Sequence, residues 1–502
     1  MVKSMTQRSQ NNHFEETSLP DSTDWNTINW YKVEKYVDNM QKQIYRAVSE
    51  NNFRKARHLQ IILFNSESAL LLAIRRVTQL NKGKRTPGID GYRALTDKKR
   101  AELFDTMKNT NLELHNPKPA YRRYIKKKNG KLRSLGIPVI KDRICQELVR
   151  MVLEPQVEVN FEPTSYGFRP QRGCHDAMSR IMKNIVHGNW SWIFEGDFKA
   201  CFDTLDHNFI LRQIKGFPLY NLVEKFLKAG YVDKNVLYSS NKGTPQGGIL
   251  SPLLANIALN GLEEILKISY SKRTRKEYVY YVTEGNYRVV RYADDFVIFA
   301  NSKEDIESIY DILNPYLKER GLELAEEKTR ITHITDGFDF LGFNFRRYKT
   351  FNGFIHLCKP SKDSVKGFRS KIDEIYKQYH GQSVDALINR LNPVIRGIAN
   401  YWKPTSAKAI FQAMDNYVWR KVYKFVRRLH PNMPWNWIKK KYFPHYYDGK
   451  HYGNWILTGP KEGNILFKMA WTPIRRHAMI KSNYSPYDKS KSEYFLKRNS
   501  FC

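Results

Sequence analysis

Asp294 and Asp295 stand side by side between apolar runs, in Val289-Val290-Arg291-Tyr292-Ala293-Asp294-Asp295-Phe296-Val297-Ile298-Phe299. A hairpin would carry such a pair at its tip. Aspartate also favours turns for its own backbone hydrogen bonds, so on this motif alone a structural turn is the stronger reading. A second stretch changes that balance: Ile193-Phe194-Glu195-Gly196-Asp197-Phe198 puts Asp197 at the end of another apolar strand. Neighbouring strand ends would bring Asp197 within reach of Asp294. Two Mg²⁺ ions ~3.5–4 Å apart need several carboxylate ligands, and together they stabilise the attacking and leaving oxygens of phosphoryl transfer. Like charges gathered this closely are costly without a cation, which disfavours a purely structural cluster.

Between the two lies Gly243-Thr244-Pro245-Gln246-Gly247-Gly248. Paired glycines leave room for a base pair or sugar to approach the backbone, with Gln246 and Gly247 beside it; a plain tight turn is the alternative. Lys82, Lys84 and Arg85 open a Gly- and Pro-broken stretch, where they could grip a phosphate backbone or belong to a solvated loop.

These residues need a scaffold. The 502 residues exceed one compact core, so several units are expected. Trp30, Val33, Val37, Met40, Ile44 and Val48 recur at helical spacing, and a second helix is expected over 53–80. Residues 121–138 read as a basic hairpin turning at Asn129-Gly130. Helices are expected at 142–153, 253–266 and 304–320, strands at 192–197, 287–300 and 338–345, and helices again beyond Lys362, through 390–402 and 411–429. Strands and helices mixed in this order indicate an α+β sheet domain.

A net charge of +34 repels itself unless a polyanion neutralises it, which points to nucleic acid. The excess is uneven: beyond Phe345, 31 Lys and Arg face nine Asp and Glu. No apolar run approaches the ~18 residues of a spanning helix, so a membrane is not expected. Five scattered cysteines fit neither a disulfide framework nor zinc spacing and suggest a reducing compartment. The first twenty residues lack an apolar export core, so secretion is not expected.

Taken in order, the three stretches resemble the blocks of reverse transcriptases. Lys131, Leu132, Arg133, Gly136, Ile137 and Pro138 look like the fingers block, Tyr166-Gly167-Phe168-Arg169-Pro170 like the next, Leu322–Lys328 like the block with a catalytic lysine, and Phe340-Leu341-Gly342-Phe343 like the primer grip. More narrowly the chain is similar to group II intron reverse transcriptase/maturases, from Trp25-Asn26-Thr27-Ile28-Asn29-Trp30 to a maturase-like region around Leu391–Trp402.

The resemblance implies a right-hand polymerase, with fingers and a palm built on an antiparallel sheet, then a helical thumb. The implied organisation is a polar tail at 1–24, an N-terminal helical extension with fingers and palm at 25–350, a helical thumb and maturase domain X at 351–435, and a basic DNA-binding-like region at 436–502. It implies an RNA-directed DNA polymerase, a nucleotidyltransferase using two Mg²⁺ ions, with Asp197, Asp294 and Asp295 as metal carboxylates. Lys328 would protonate departing pyrophosphate, a role suited to a lysine pulled toward neutrality. Phe202 would pack beneath the nucleotide sugar and exclude a ribose 2′-hydroxyl, or else belong to the core. Lys131 and Arg133 would clamp the triphosphate, or be ordinary surface cations.

The implied partners are a group II intron RNA, a primed RNA template with dNTPs, and target DNA. Arg396, Lys403, Arg427 and Arg428 join Lys82, Lys84 and Arg85 as RNA contacts, and about a third of the aromatics Tyr401, Trp402, Tyr417, Trp419 and Tyr423 would stack on bases. Splicing and retrohoming by target-primed cDNA synthesis follow, in bacterial cytoplasm or an organelle encoding the protein. Many relatives continue into a His-Asn-His endonuclease; no such series follows Tyr494-Phe495-Leu496-Lys497-Arg498, so second-strand cleavage is expected to be absent. Ser134 stands where proline is usual. The alternatives are a non-catalytic splicing cofactor, and a related enzyme recruited to bacterial defence.

Overall fold

A computed structural model describes residues 24–126, 130, 132–188, 190–275, 278–481 and 483–501. The chain forms two compact units. One holds the residues up to Gln156 with Gly216–Ser240 and Pro245–Leu250; the other holds Val157–Lys215, Asn241–Thr244 and everything from Ser251.

In the first unit, helices Trp30–Ser49, Phe53–Phe64 and Glu67–Arg75 pack on one another, and side chains of the first two reach the helix Ile140–Glu158. The single helix expected over 53–80 is interrupted, because the Ser66 hydroxyl accepts the Ala69 N–H at 3.2 Å and starts a new helix. A π-helical turn, Arg76–Leu80, ends the segment. Pro155 inside Ile140–Glu158 has no N–H for the Met151 carbonyl four residues back. Gln41 supplies the missing donor from across the core at 2.8 Å, and Gln60 donates to Val152 O at 3.0 Å. The basic hairpin forms as expected: Ala120–Lys126 pairs antiparallel with Leu132–Ile137, in register Lys126↔Leu132. Tyr231–Asp233 and Val236–Tyr238 extend it to four strands.

The second unit is built on an antiparallel sheet ordered Arg330–His333, Trp192–Asp197, Asp295–Ala300, Arg288–Tyr292. Its two inner strands bury Ile193, Phe194, Val297, Ile298 and Phe299, which is why they read as continuous apolar runs. A second sheet, Phe338–Phe340, Phe343–Thr350 and Gly353–Pro360, divides the strand expected over 338–345. Leu341 and Gly342 both have positive φ there, +50° and +76°, and make a turn. The helix expected over 253–266 is likewise divided into Ser251–Ala258 and Leu262–Ile265, with Gly261 at φ +107°.

Helices Lys362–Gln378, Val384–Trp402 and Lys408–Leu429 share one core with this sheet through Phe338, Phe345, Phe368, Leu391, Trp402 and Phe411. Trp402 is 1% exposed and therefore packs in the core rather than stacking on RNA. Tyr401 stacks on Phe343 and donates its hydroxyl to Leu341 O at 2.8 Å. From 444 to 491 the chain has a two-residue ladder and short 3₁₀ turns, followed by the helix Ser492–Phe501. The α+β class is as the sequence indicates. Among the described residues, no helix is long and apolar enough to cross a membrane.

Candidate active site

Asp197 and Asp295 are cross-strand partners on the two inner strands, and Tyr292↔Asp295 closes the next pair. Ala293-Asp294 is therefore a two-residue hairpin turn, which puts three carboxylates at one end of the sheet. Ala293 has φ +57°, an uncommon conformation for a residue with a Cβ. It is enforced by its surroundings. The Arg291 guanidinium donates to Ala293 O at 3.1 Å and to Asn256 Oδ1 at 3.0 Å, and Asn256 in turn donates to Gly167 O at 2.8 Å. The backbone of 164–166 pairs alongside: Arg291 N donates to Thr164 O, and Tyr166 N to Arg291 O. Gly167 is pressed against the turn, where a Cβ would come 2.3 Å from Ala293 N.

The Asp295 carboxyl is pushed up to about 6 by its low-dielectric surroundings and by the charges of Asp294 and Asp197, against a weaker pull from Lys328. Part of Asp295 nonetheless remains exposed at the strand end, so a cation able to enter there would relieve the repulsion. Lys328 supplies one such charge by donating to Asp197 Oδ2. The bond from Ala325 N to Asp197 O at 2.8 Å holds its loop in place. The side-chain bond to Asp197 raises the Lys328 ammonium above its ordinary value. The lysine pulled toward neutrality that would suit this role is therefore not what the geometry beside Asp197 produces: a carboxylate partner outweighs the small desolvation of a half-exposed side chain.

Among the described residues, no three Asp, Glu, His or Cys side chains close on a single point as a ready-made metal cage. Mg²⁺ keeps several waters and is usually held by one or two carboxylates plus substrate phosphates, so the oxygen donors of Asp197, Asp294 and Asp295 fit it in kind.

The other sequence candidates lie as follows. Phe202 is 8% exposed, in the turn Cys201–Thr204, and its carbonyl accepts Thr244 N at 2.6 Å. In the first unit, Arg133 Nε donates to Gln246 Oε1 at 2.8 Å, while Gln246 O accepts Gly136 N at 2.8 Å. Gly247 has φ +122°, and a Cβ there would meet Gly136 O at 2.8 Å, so the glycine serves this close backbone approach. Lys131 lies outside the described residues. Lys84 donates to Gln79 O at 2.7 Å, and Lys82 and Arg85 are exposed. In the second unit, Arg396 sits over the Phe467 ring at 4.2 Å, Arg427 donates to Met433 O at 3.1 Å, and Arg428 is exposed. Lys403 lines a pocket with His175, Asn400 and Arg475.

Reverse transcriptase (RNA-dependent DNA polymerase) matches residues 125–345, the N-terminal domain of reverse transcriptase 25–107, and the group II intron maturase-specific domain 365–443. Protein YkfC of Escherichia coli K12 is 34% identical over 369 residues, covering 67% of this chain and 95% of that one. The chain belongs to the group II intron-encoded reverse transcriptase/maturase family. The group II intron-encoded protein LtrA of Lactococcus lactis subsp. cremoris is 34% identical over 403 residues, or 64% of this chain; the match spans 66% of LtrA. Maturase-like protein 1 of Euglena gracilis is 25% identical over 386 residues, covering 76% of this chain and 78% of the other.

In this member of the family, the support behind the carboxylates left no signal in the sequence. Arg169 forms a buried ion pair with Glu158, at 2.7 and 3.0 Å, and donates to Glu162 O and Ser165 O. Glu162 accepts Gly261 N and Glu263 N at 2.9 and 2.6 Å. The Tyr166–Pro170 block was visible in the sequence, but nothing there said that it braces the turn at Ala293.

Proposed function

We propose that this chain is an RNA-directed DNA polymerase that also binds a group II intron RNA, promotes its splicing, and copies it into cDNA at a target DNA. The observation that carries the reading is the register Asp197↔Asp295 with Asp294 at the adjoining turn. Asp197 and Asp294, with Asp295 as a third donor, would hold two Mg²⁺ ions, which supply charge stabilisation for the attacking primer oxygen and the departing pyrophosphate.

The chain's own residues do the positioning. The strained Ala293 turn, held by Arg291 and Gly167, keeps the carboxylates from following their mutual repulsion outward. Lys328, protonated beside Asp197, is a proton source for pyrophosphate oxygen. Phe202 favours dNTPs by filling the space a 2′-hydroxyl needs. Arg133 is a triphosphate cation oriented by Gln246, and Gly247, lacking a side chain, lets the Gln246 segment close on Gly136. The maturase-specific match over 365–443 and the basic excess beyond Phe345 support intron RNA as partner, with Lys82, Arg85, Arg396, Arg427 and Arg428 as phosphate contacts.

The test is primer extension on an RNA template with Mg²⁺ and dNTPs, alongside splicing of the flanking intron RNA. Asp294→Ala should abolish extension while RNA binding persists. Extension at wild-type rate by that variant would overturn the polymerase assignment.

A further inference from the structure

The strand that carries Asp197 keeps a partner on its outer side from Trp192 to Lys199, but not in one register. Arg330–His333 pairs with it as Arg330↔Glu195 through His333↔Trp192. Beyond that, Phe198 bridges Leu324, Ala325 N donates to Asp197 O, and Lys199 N donates to Glu323 O, the last two at 2.8 Å. Between the pairs Glu195↔Arg330 and Phe198↔Leu324, Gly196 and Asp197 span the gap on one strand, while residues 325–329 span it on the other. The outer strand therefore carries a bulge with three residues in excess. Its turn is closed by Ala325 O, which accepts both Lys328 N and Thr329 N at 2.9 Å. Bulges beside active sites serve to re-aim a side chain. This one lifts Lys328 out of the ladder and brings its ammonium onto Asp197 Oδ2.

Arg330–His333 is the edge strand of its sheet, with a neighbour on one side only, so a bulge in it can slip unless both of its ends are fixed. Main-chain bonds from 323–325 fix one end. A side chain secures the other. Arg330 Nε donates to Glu195 Oε1 at 2.7 Å and Arg330 Nη2 to Glu195 Oε2 at 2.8 Å, while the Thr332 hydroxyl donates to Oε1 at 3.0 Å. A forked guanidinium–carboxylate contact sets angle as well as distance. Arg330 stands two residues after Lys328, and Glu195 two residues before Asp197, on the same face of the sheet. The fork thus determines where the bulge ends and with it where Lys328 points. It also engages the Glu195 carboxylate, whose side chain is only 11% exposed, on the face that holds Asp197 and Asp295.

We propose that Arg330 and Glu195 are positioning residues for nucleotide addition: their forked pair closes the bulge and so holds the Lys328 ammonium at Asp197. The inference deepens the function given above and rests on the role given there to Lys328.

The test uses the full-length protein in single-nucleotide extension of a primed RNA template with Mg²⁺ and dNTPs. Wild type is compared with Arg330→Gln, Arg330→Lys, Lys328→Gln and the double variant Lys328→Gln/Arg330→Gln. The Arg330 side chain is 60% exposed, so its replacement should leave the denaturant midpoint close to that of wild type. Arg330→Gln should lower kcat about tenfold and change dNTP KM by less than about twofold, because a displaced group slows the reacting step more than it weakens binding. Arg330→Lys keeps the charge without the fork and should recover only part of the loss. Because Arg330 acts through Lys328, the double variant should be no slower than Lys328→Gln alone. Amide hydrogen exchange, followed without Mg²⁺ or dNTPs, should quicken over 324–330 in Arg330→Gln and stay unchanged over 295–300. Wild-type kcat in Arg330→Gln, losses that multiply in the double variant, full recovery in Arg330→Lys, or unchanged exchange would each overturn the proposal. Lys328→Gln extending at the wild-type rate would remove the role of Lys328 itself and this inference with it, whereas wild-type extension by Asp294→Ala would overturn the polymerase reading.

Discussion

Gly167 and Ala293 meet backbone to backbone: a Cβ on Gly167 would lie 2.3 Å from Ala293 N and 2.9 Å from Ala293 Cα. No rotamer change relieves such a clash, because both obstacles are main-chain atoms. Gly167→Ala must therefore displace the turn that carries Asp294. A misplacement of about 1 Å at a reacting centre can cost 10²-fold in rate. The expected outcome is a kcat for primer extension lower by about that factor, with dNTP KM changed much less. Steady-state kinetics on a primed RNA template check it, and wild-type kcat would show that the contact does not position the carboxylates.

Lys328 allows two roles to be separated, because its Nζ donates to Asp197 while remaining half exposed. Lys328→Arg keeps the cation beside Asp197 but, as a guanidinium, parts with its proton far less readily. If the lysine gives up a proton in the reaction, kcat should fall by about 10²-fold while primer binding holds. If it only balances the Asp197 charge, the arginine variant should retain most activity and Lys328→Gln should lose it. Asp197 raises the Lys328 pKa, so the charge is held below its ordinary value of 10.5 and lost only as pH rises above that. Wild-type activity should accordingly show no alkaline limb from this group between pH 7 and 9.

The Arg169–Glu158 pair offers a test of stability rather than chemistry. Both side chains are at most 2% exposed, and Arg169 also satisfies two carbonyls in the loop before Gly167. Removing one member of a buried pair leaves the other charge uncompensated, at about 3–5 kcal/mol. Arg169→Met should lower the denaturant midpoint accordingly, whereas Arg169→Met/Glu158→Leu should recover part of the loss. A double variant as unstable as the single would show that the carbonyl contacts, not the ion pair, dominate.

The three carboxylates were legible in the sequence because each sits at the end of an apolar run, and the two inner strands are buried on both faces. The fold class was legible for the same reason, through periods of 2 and 3.6 in the apolar pattern. Element ends were not. They depend on local events such as the Ser66 cap and the positive φ at Leu341, Gly342 and Gly261, which barely disturb the pattern. Which of the aromatics Tyr401, Trp402, Tyr417, Trp419 and Tyr423 face the core was not legible one by one, since an aromatic among cations on a helix looks the same either way; Trp402 is one that does. Long-range buttressing left no trace at all: Asp176 and Arg498 are 322 positions apart, and neither belongs to a recognisable spacing.

Glu162 gives a pH-dependent signature of the structure behind the active-site hairpin. Its carboxyl is pushed up to about 7 by burial and by the neighbouring Glu263, against an opposing pull from Arg291. For an acid raised in the folded state, the native protein holds the proton over a range where the unfolded chain, near 4.5, has released it. Stability from this group is therefore present at pH 5 and lost as pH rises toward 7 and beyond. Glu162→Gln cannot ionise but keeps an oxygen to accept Gly261 N and Glu263 N. Whatever the offset between the two proteins at pH 5, wild type should lose stability relative to Glu162→Gln between pH 5 and pH 8. Chemical denaturation midpoints of both, measured at those two pH values, decide the matter. A constant difference would mean that Arg291 holds Glu162 ionised throughout, so that the buried guanidinium and not a shared proton balances the Glu162 and Glu263 pair.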